Sequence, residues 1–147
     1  MKKIAIATAF ALVAGASSAA EFGVQGVYDN HPTNGGFGVS LGQHFGDFSA
    51  TAGFVRTPEN NVNNYTVIGA YDFAKIGNAT FSAKAGGAYI DRPTGSKDGY
   101  AALVGAGVTI PVTKEVAATI DYRYQAGQDK VKSLDGSQVL VGAQYKF

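Results

Sequence analysis

The sequence has no cysteine and no tryptophan, and only 16% of its 147 residues are charged. Without cysteine there is no disulfide staple, no thiol nucleophile and no thiolate metal ligand. Charge of a single sign is also missing, because 12 Lys and Arg stand against 11 Asp and Glu. A chain so balanced has no basic face for nucleic acid. Long hydrophobic runs are absent beyond the first twenty residues, and the mean hydropathy is +0.00. That excludes a helical span from the body of the chain. It does not exclude strands, whose lipid-facing residues alternate with polar ones.

The first residues form a unit of their own. Lys2 and Lys3 precede an apolar stretch at 4–16, and Ser17-Ser18-Ala19-Ala20 supplies small residues before Glu21. This is the pattern of a secretory signal peptide at 1–20, too short in its apolar part for the ~20 residues of a spanning helix. Taking twenty residues from 147 leaves 127, a single domain at 21–147. Two of the 12 basic residues leave with the peptide, so ten face eleven acidic ones, a formal net of −1.

What the chain does have is 20 Gly, 8 Tyr and 9 Phe. Gly is about twice its usual ~7%, which disfavours helix. Patterned runs at 21–28, 37–45, 48–57, 64–74, 79–90, 100–112, 116–126 and 138–147 predict eight strands. Turn residues separate them, and longer connections (29–36, 58–63, 91–99, 127–137) alternate with short turns at 46–47, 75–78 and 113–115. Tyr65, Val67, Gly69, Tyr71 and Phe73 repeat with period 2 rather than 3.6.

Within each run every aromatic has the same parity, hence one face of a sheet. The opposite parity carries Gln25, Ser49, Thr51, Thr66, Asp72, Lys84, Asp121, Arg123 and Lys146. A soluble lipocalin-like barrel and an outer-membrane barrel both produce such a split. Depth decides between them. Tyr28, Phe54, Tyr65, Tyr89, Tyr100 and Tyr124 fall toward one end of the strands, and Phe22, Phe48, Phe73 and Phe81 toward the other. Val and Ala lie between, so two aromatic girdles flank an aliphatic belt, which is what a bilayer requires. The expected fold is an all-β, eight-stranded antiparallel up-and-down transmembrane barrel, whose closure leaves no unpaired edge in lipid.

With its final Gln144-Tyr145-Lys146-Phe147, this arrangement resembles the small outer-membrane β-barrels of Gram-negative bacteria, the OmpA-like and opacity-protein group. The terminal strand with Val141, Tyr145 and Phe147 is similar to the signal read by the barrel-assembly machinery, which the resemblance implies as a partner. Unlike the larger members of that group, this chain is expected to carry no peptidoglycan-binding domain after the barrel, and its loops are shorter than those of opacity adhesins.

A barrel of eight strands is just wide enough to be filled by its own side chains. Inward charges must pair there, so Asp72 and Asp121 are expected to bond Lys84, Arg123 or Lys146 in a structural network rather than a selective pore. A lipid-modifying barrel enzyme needs His with Ser and an acid at the outer rim. His31, Ser96 and Asp98 are the one such combination, on Gly-rich loops that do not preorganise it, so no catalytic site is expected. His31 and His44 lie at opposite rims and cannot share a metal ion, and no cofactor motif is present. Arg92, Lys97, Lys130 and Lys132 in the outer loops are candidates for lipopolysaccharide phosphates or another extracellular ligand. The expectation is a monomeric, non-enzymatic envelope protein. A small passive pore and a soluble periplasmic lipid carrier are the alternatives.

Overall fold

A computed structural model describes residues 20–30, 33–92 and 97–147. Residues 1–19 of the signal-peptide segment, His31 and Ser96 lie outside the described residues, and Ala20 opens the first strand. Eight strands run in order: β1 (Ala20–Asn30), β2 (Thr33–Phe45), β3 (Phe48–Thr57), β4 (Val62–Ile76), β5 (Ala79–Asp91), β6 (Gly99–Pro111), β7 (Val116–Gly127) and β8 (Gly136–Lys146). Two short 3₁₀ segments interrupt the connections, η1 (Pro58–Asn60) and η2 (Asp129–Leu134).

Each strand pairs antiparallel with its neighbours in sequence, and β1 pairs with β8 to close the barrel. At that seam the register runs from Glu21 opposite Lys146 to Asp29 opposite Gln138. The Phe147 N–H donates to the Ala20 carbonyl at 3.1 Å, extending the seam to the last residue. Strand lengths of 10 to 15 residues reach or exceed the ~9–11 a tilted spanning strand needs. At the tight turns Gly46 and Gly77 take φ of +68° and +63°, the left-handed region where a side chain is strained.

The ladders reach further toward the outer loops than composition suggests. The first outer connection was expected to span 29–36, but pairing of β1 with β2 continues to Asn30 opposite Thr33. Gly36 explains the difference: it faces the lumen, where a Cβ would lie 2.6 Å from the Arg56 carbonyl. Its glycine serves close approach, not a turn. Asn63 is likewise in the ladder, opposite Arg56 on one side and Asp91 on the other. One irregularity, between Asp72 and Ala74 in β4, sits at the inner end.

The two faces separate as period 2 demands. Val24, Val67, Val104, Ile120 and Val141 all point outward and are exposed. Phe54, Tyr65, Tyr89 and Tyr100 make a ring-to-ring ladder across β3–β6, with centroids 5.2, 6.4 and 5.4 Å apart. At the other end Phe48 packs on Tyr71 at 4.9 Å, and Tyr145 on Phe147 at 5.3 Å. Tyr28, Phe22, Phe73 and Tyr124 are exposed on this outer wall, and Phe81 shares it half-buried.

Candidate functional site

The lumen divides into two halves of different chemistry. Toward the short turns it forms a polar vestibule of about 240 Å³, walled by hydroxyls such as Ser40, Thr51, Thr66, Ser82 and Thr119. Toward the long loops it is filled. Val62, Ala88, Ile90, Ala101, Leu103 and Val131 form one apolar cluster, and Val27, Val55 and Leu140 another. The inward bulk of Ile68, Leu103 and Leu140 is visible in the strand pattern. Val131 is not, because it comes from η2 rather than a strand.

Among the charges, Lys84 on β5 reaches Asp121 on β7 with Nζ 2.6 Å from Oδ1. The intervening strand allows this because β6 presents Gly105 and Gly107 to the lumen. A Cβ at Gly107 would fall on the Asp121 carboxylate and 3.1 Å from Lys84 Cε. The pair therefore spans a strand with no side chain in its way.

The other members of the expected network, Asp72, Arg123 and Lys146, find other partners. Arg123 does not bond a carboxylate: its Nε donates to Gln138 Oε1 at 2.6 Å, and Gln138 Nε2 donates to Asp29 Oδ2 at 2.8 Å. The buried amide relays charge to an acid one strand further on. Asp72 accepts from the Ser82 hydroxyl at 2.7 Å, because its register partner on β5 is Ser82 and not Lys84. Lys146 lies 3.3 Å from Glu21, which also has His44 Nε2 at 3.2 Å. Glu21, Asp29 and Gln138 were missed from the pattern. Their signal was available, since each has the parity opposite to the aromatics Phe22, Tyr28 and Tyr145 of its own strand.

At the outer rim Asp98 accepts from the Tyr89 hydroxyl at 2.9 Å and the Arg92 backbone N–H at 3.1 Å. Arg92 Nη2 donates to Ser133 Oγ at 3.2 Å, tying the β5–β6 loop to η2. Lys97 and Lys132 are exposed, and the Lys130 side chain lies outside the described residues. His31 and Ser96 also lie outside them; of the imagined catalytic set Asp98 is described, held as above. Among the described residues no cluster of three His, Cys, Asp or Glu could hold a metal ion. Val141 lies mid-wall on β8, with Tyr145 and Phe147 at its inner end.

A closed eight-stranded up-and-down barrel with an apolar, aromatic-girdled exterior defines the fold of the small outer-membrane barrels. Solved structures agree. The N-terminal β-barrel domain of Pseudomonas aeruginosa OprF superposes with a TM-score of 0.73 at 18% identity, covering 89% of this chain and 98% of that one. Yersinia pestis outer membrane protein Ail in a phospholipid nanodisc gives 0.57 at 14% identity, with 89% and 100% covered. Neisserial surface protein A gives 0.54 at 19% identity, with 87% and 94% covered. No protein-family model matches the sequence, and no curated protein does.

Proposed function

We propose that this chain is a non-enzymatic protein of the Gram-negative outer membrane, a monomeric barrel with a lumen blocked by its own side chains. Its work is structural and at the surface, through the outer loops. The observation that carries this reading is the exterior: Val24, Val67, Val104, Ile120 and Val141 are 48 to 60% exposed in a band between two sets of rings. Water would penalise such a surface, whereas hydrocarbon does not. A soluble lipid carrier is disfavoured because the apolar side faces out and the polar side faces in. A passive pore is disfavoured by the apolar clusters that fill the outer half of the lumen.

Arg92, Lys97, Lys130 and Lys132 supply charge for lipopolysaccharide phosphates at the outer surface. The C-terminal strand supplies Val141, Tyr145 and Phe147 to the assembly machinery. Fractionation combined with gel electrophoresis of unboiled and boiled samples tests the reading. The protein should partition with the outer membrane and migrate differently until boiled. A soluble fraction with equal mobility under both conditions would refute it.

A further inference from the structure

The outer mouth is closed by a piece of loop seated as a core residue would be. Val131 of η2 is 0% exposed and belongs to the same apolar cluster as Ile90 and Leu103. Its seat is cut for it by two glycines. A Cβ at Gly99 would lie 2.8 Å from Val131 Cγ1, and one at Gly127 would fall on the Val131 carbonyl oxygen and 2.7 Å from its carbonyl carbon. Hydrogen bonds hold the segment at both ends. Gln125 Nε2 donates to the Leu134 carbonyl at 3.1 Å, and the Gly127 N–H donates to Asp135 at 2.5 Å. The Gln128 N–H donates to the Tyr100 carbonyl at 2.9 Å.

Beneath this seat the filling is not wholly apolar. The two clusters are separate, and Asn64, Arg123 and Gln125 face the same stretch of lumen from β4 and β7. All three are at least nine-tenths buried. Asn64 Oδ1, Arg123 Nη2 and Gln125 Oε1 have no hydrogen-bond partner among the described residues. Buried polar atoms of this kind are satisfied by water. Arg123 also walls the vestibule, and Gln125 bonds the underside of η2. Arg123 and Gln125 stand two apart on the inward face of β7, so polar groups follow one another along that strand from the vestibule to the cap.

We propose that η2 is a lid on a narrow water-filled path. The path is the vestibule continued by the sites at Arg123, Asn64 and Gln125, and Val131 is the latch that stops it short of the exterior. Lifting η2 joins the two sides and lets small ions pass. This rests on the reading of a membrane-spanning barrel that is closed at rest.

The test uses the full chain refolded in detergent and reconstituted into planar bilayers in potassium chloride. Wild type should be closed, with rare brief openings. Val131→Asp places a charge in an apolar seat, and Gly99→Ala wedges it from beside. Each should raise the open time about tenfold or more, as expected when a polar group or excess volume enters a packed site. Gly99→Cys with Val131→Cys supplies the converse, because a Cβ at Gly99 lies 3.4 Å from Val131 Cβ and the chain has no other cysteine. Oxidation should abolish openings and reductant should restore them. Variants that keep their heat-dependent gel mobility yet conduct no more than wild type would overturn the lid, as would openings that persist in the oxidised pair. Loss of that mobility in the wild-type protein would overturn the barrel reading itself.

Discussion

Asp121→Asn removes one charge of the Lys84–Asp121 pair while keeping its size, and its cost follows from where the pair sits. Removing one partner of a fully buried pair costs about 3–5 kcal/mol, whereas exposed pairs contribute about 0–1 kcal/mol. Here the side chains are 23% and 17% exposed, and both wall the vestibule. Lys84 can therefore recruit water but not enough to be solvated as in bulk. The expected loss is about 1–3 kcal/mol, between the two limits. Arg123, two residues along the same face, would lose a nearby acid as well. Lys84→Gln should cost a similar amount, and the double variant Lys84→Gln/Asp121→Asn should cost less than the sum of the two. Unfolding in urea from lipid vesicles, followed by the fraction that keeps folded gel mobility, gives all four free energies. Single variants within about 0.5 kcal/mol of wild type, or costs that simply add, would show that the pair contributes nothing as a pair.

Three further outcomes follow from the two walls. Val104→Arg on the lipid face should cost about 2–4 kcal/mol in the same unfolding assay, and a change below about 0.5 kcal/mol would contradict its placement in the belt. Gly142→Ala puts a Cβ onto the Val24 carbonyl oxygen and 2.9 Å from Gln25 Cα, whereas at Gly87 the nearest atom is 3.7 Å away. The first should lose about 1–3 kcal/mol by overpacking, and Gly87→Ala should be near neutral; equal effects would refute the assignment of faces. Phe147→Ala should lower the amount of protein reaching the outer membrane in cells while refolding in vitro stays near wild type. An equal defect in both would make Phe147 a stability residue and not an assembly signal.

The fold was legible because a membrane barrel writes one rule into every strand. Side chains alternate between lipid and lumen, so Tyr65, Val67, Tyr71 and their counterparts reveal the face without any long-range information. Strand ends were less legible. At Asn30, Gly36 and Asn63 the local vocabulary is that of turns, yet each is held in the ladder by a neighbouring strand. Local propensity cannot anticipate a hydrogen-bond partner supplied by the adjacent strand.

The lumen separates what parity can assign from what register must. Parity puts Lys84, Asp121, Arg123 and Asp72 inside, but their partners depend on which residues stand level on adjacent strands. Asp72 stands level with Ser82 and takes a hydrogen bond where an ion pair was expected, and Arg123, one of three candidate partners, stands level with Gln138 and bonds its amide. Val131 was invisible to either rule, since a residue in a polar loop has no face until the barrel mouth exists for it to enter. The same reasoning says where this barrel can be altered without unfolding it. The ladders and girdles are redundant around eight strands, while the closure of the mouth rests on one side chain, two glycines and a few hydrogen bonds. A change confined to η2 should therefore alter what the lumen passes well before it alters whether the barrel forms.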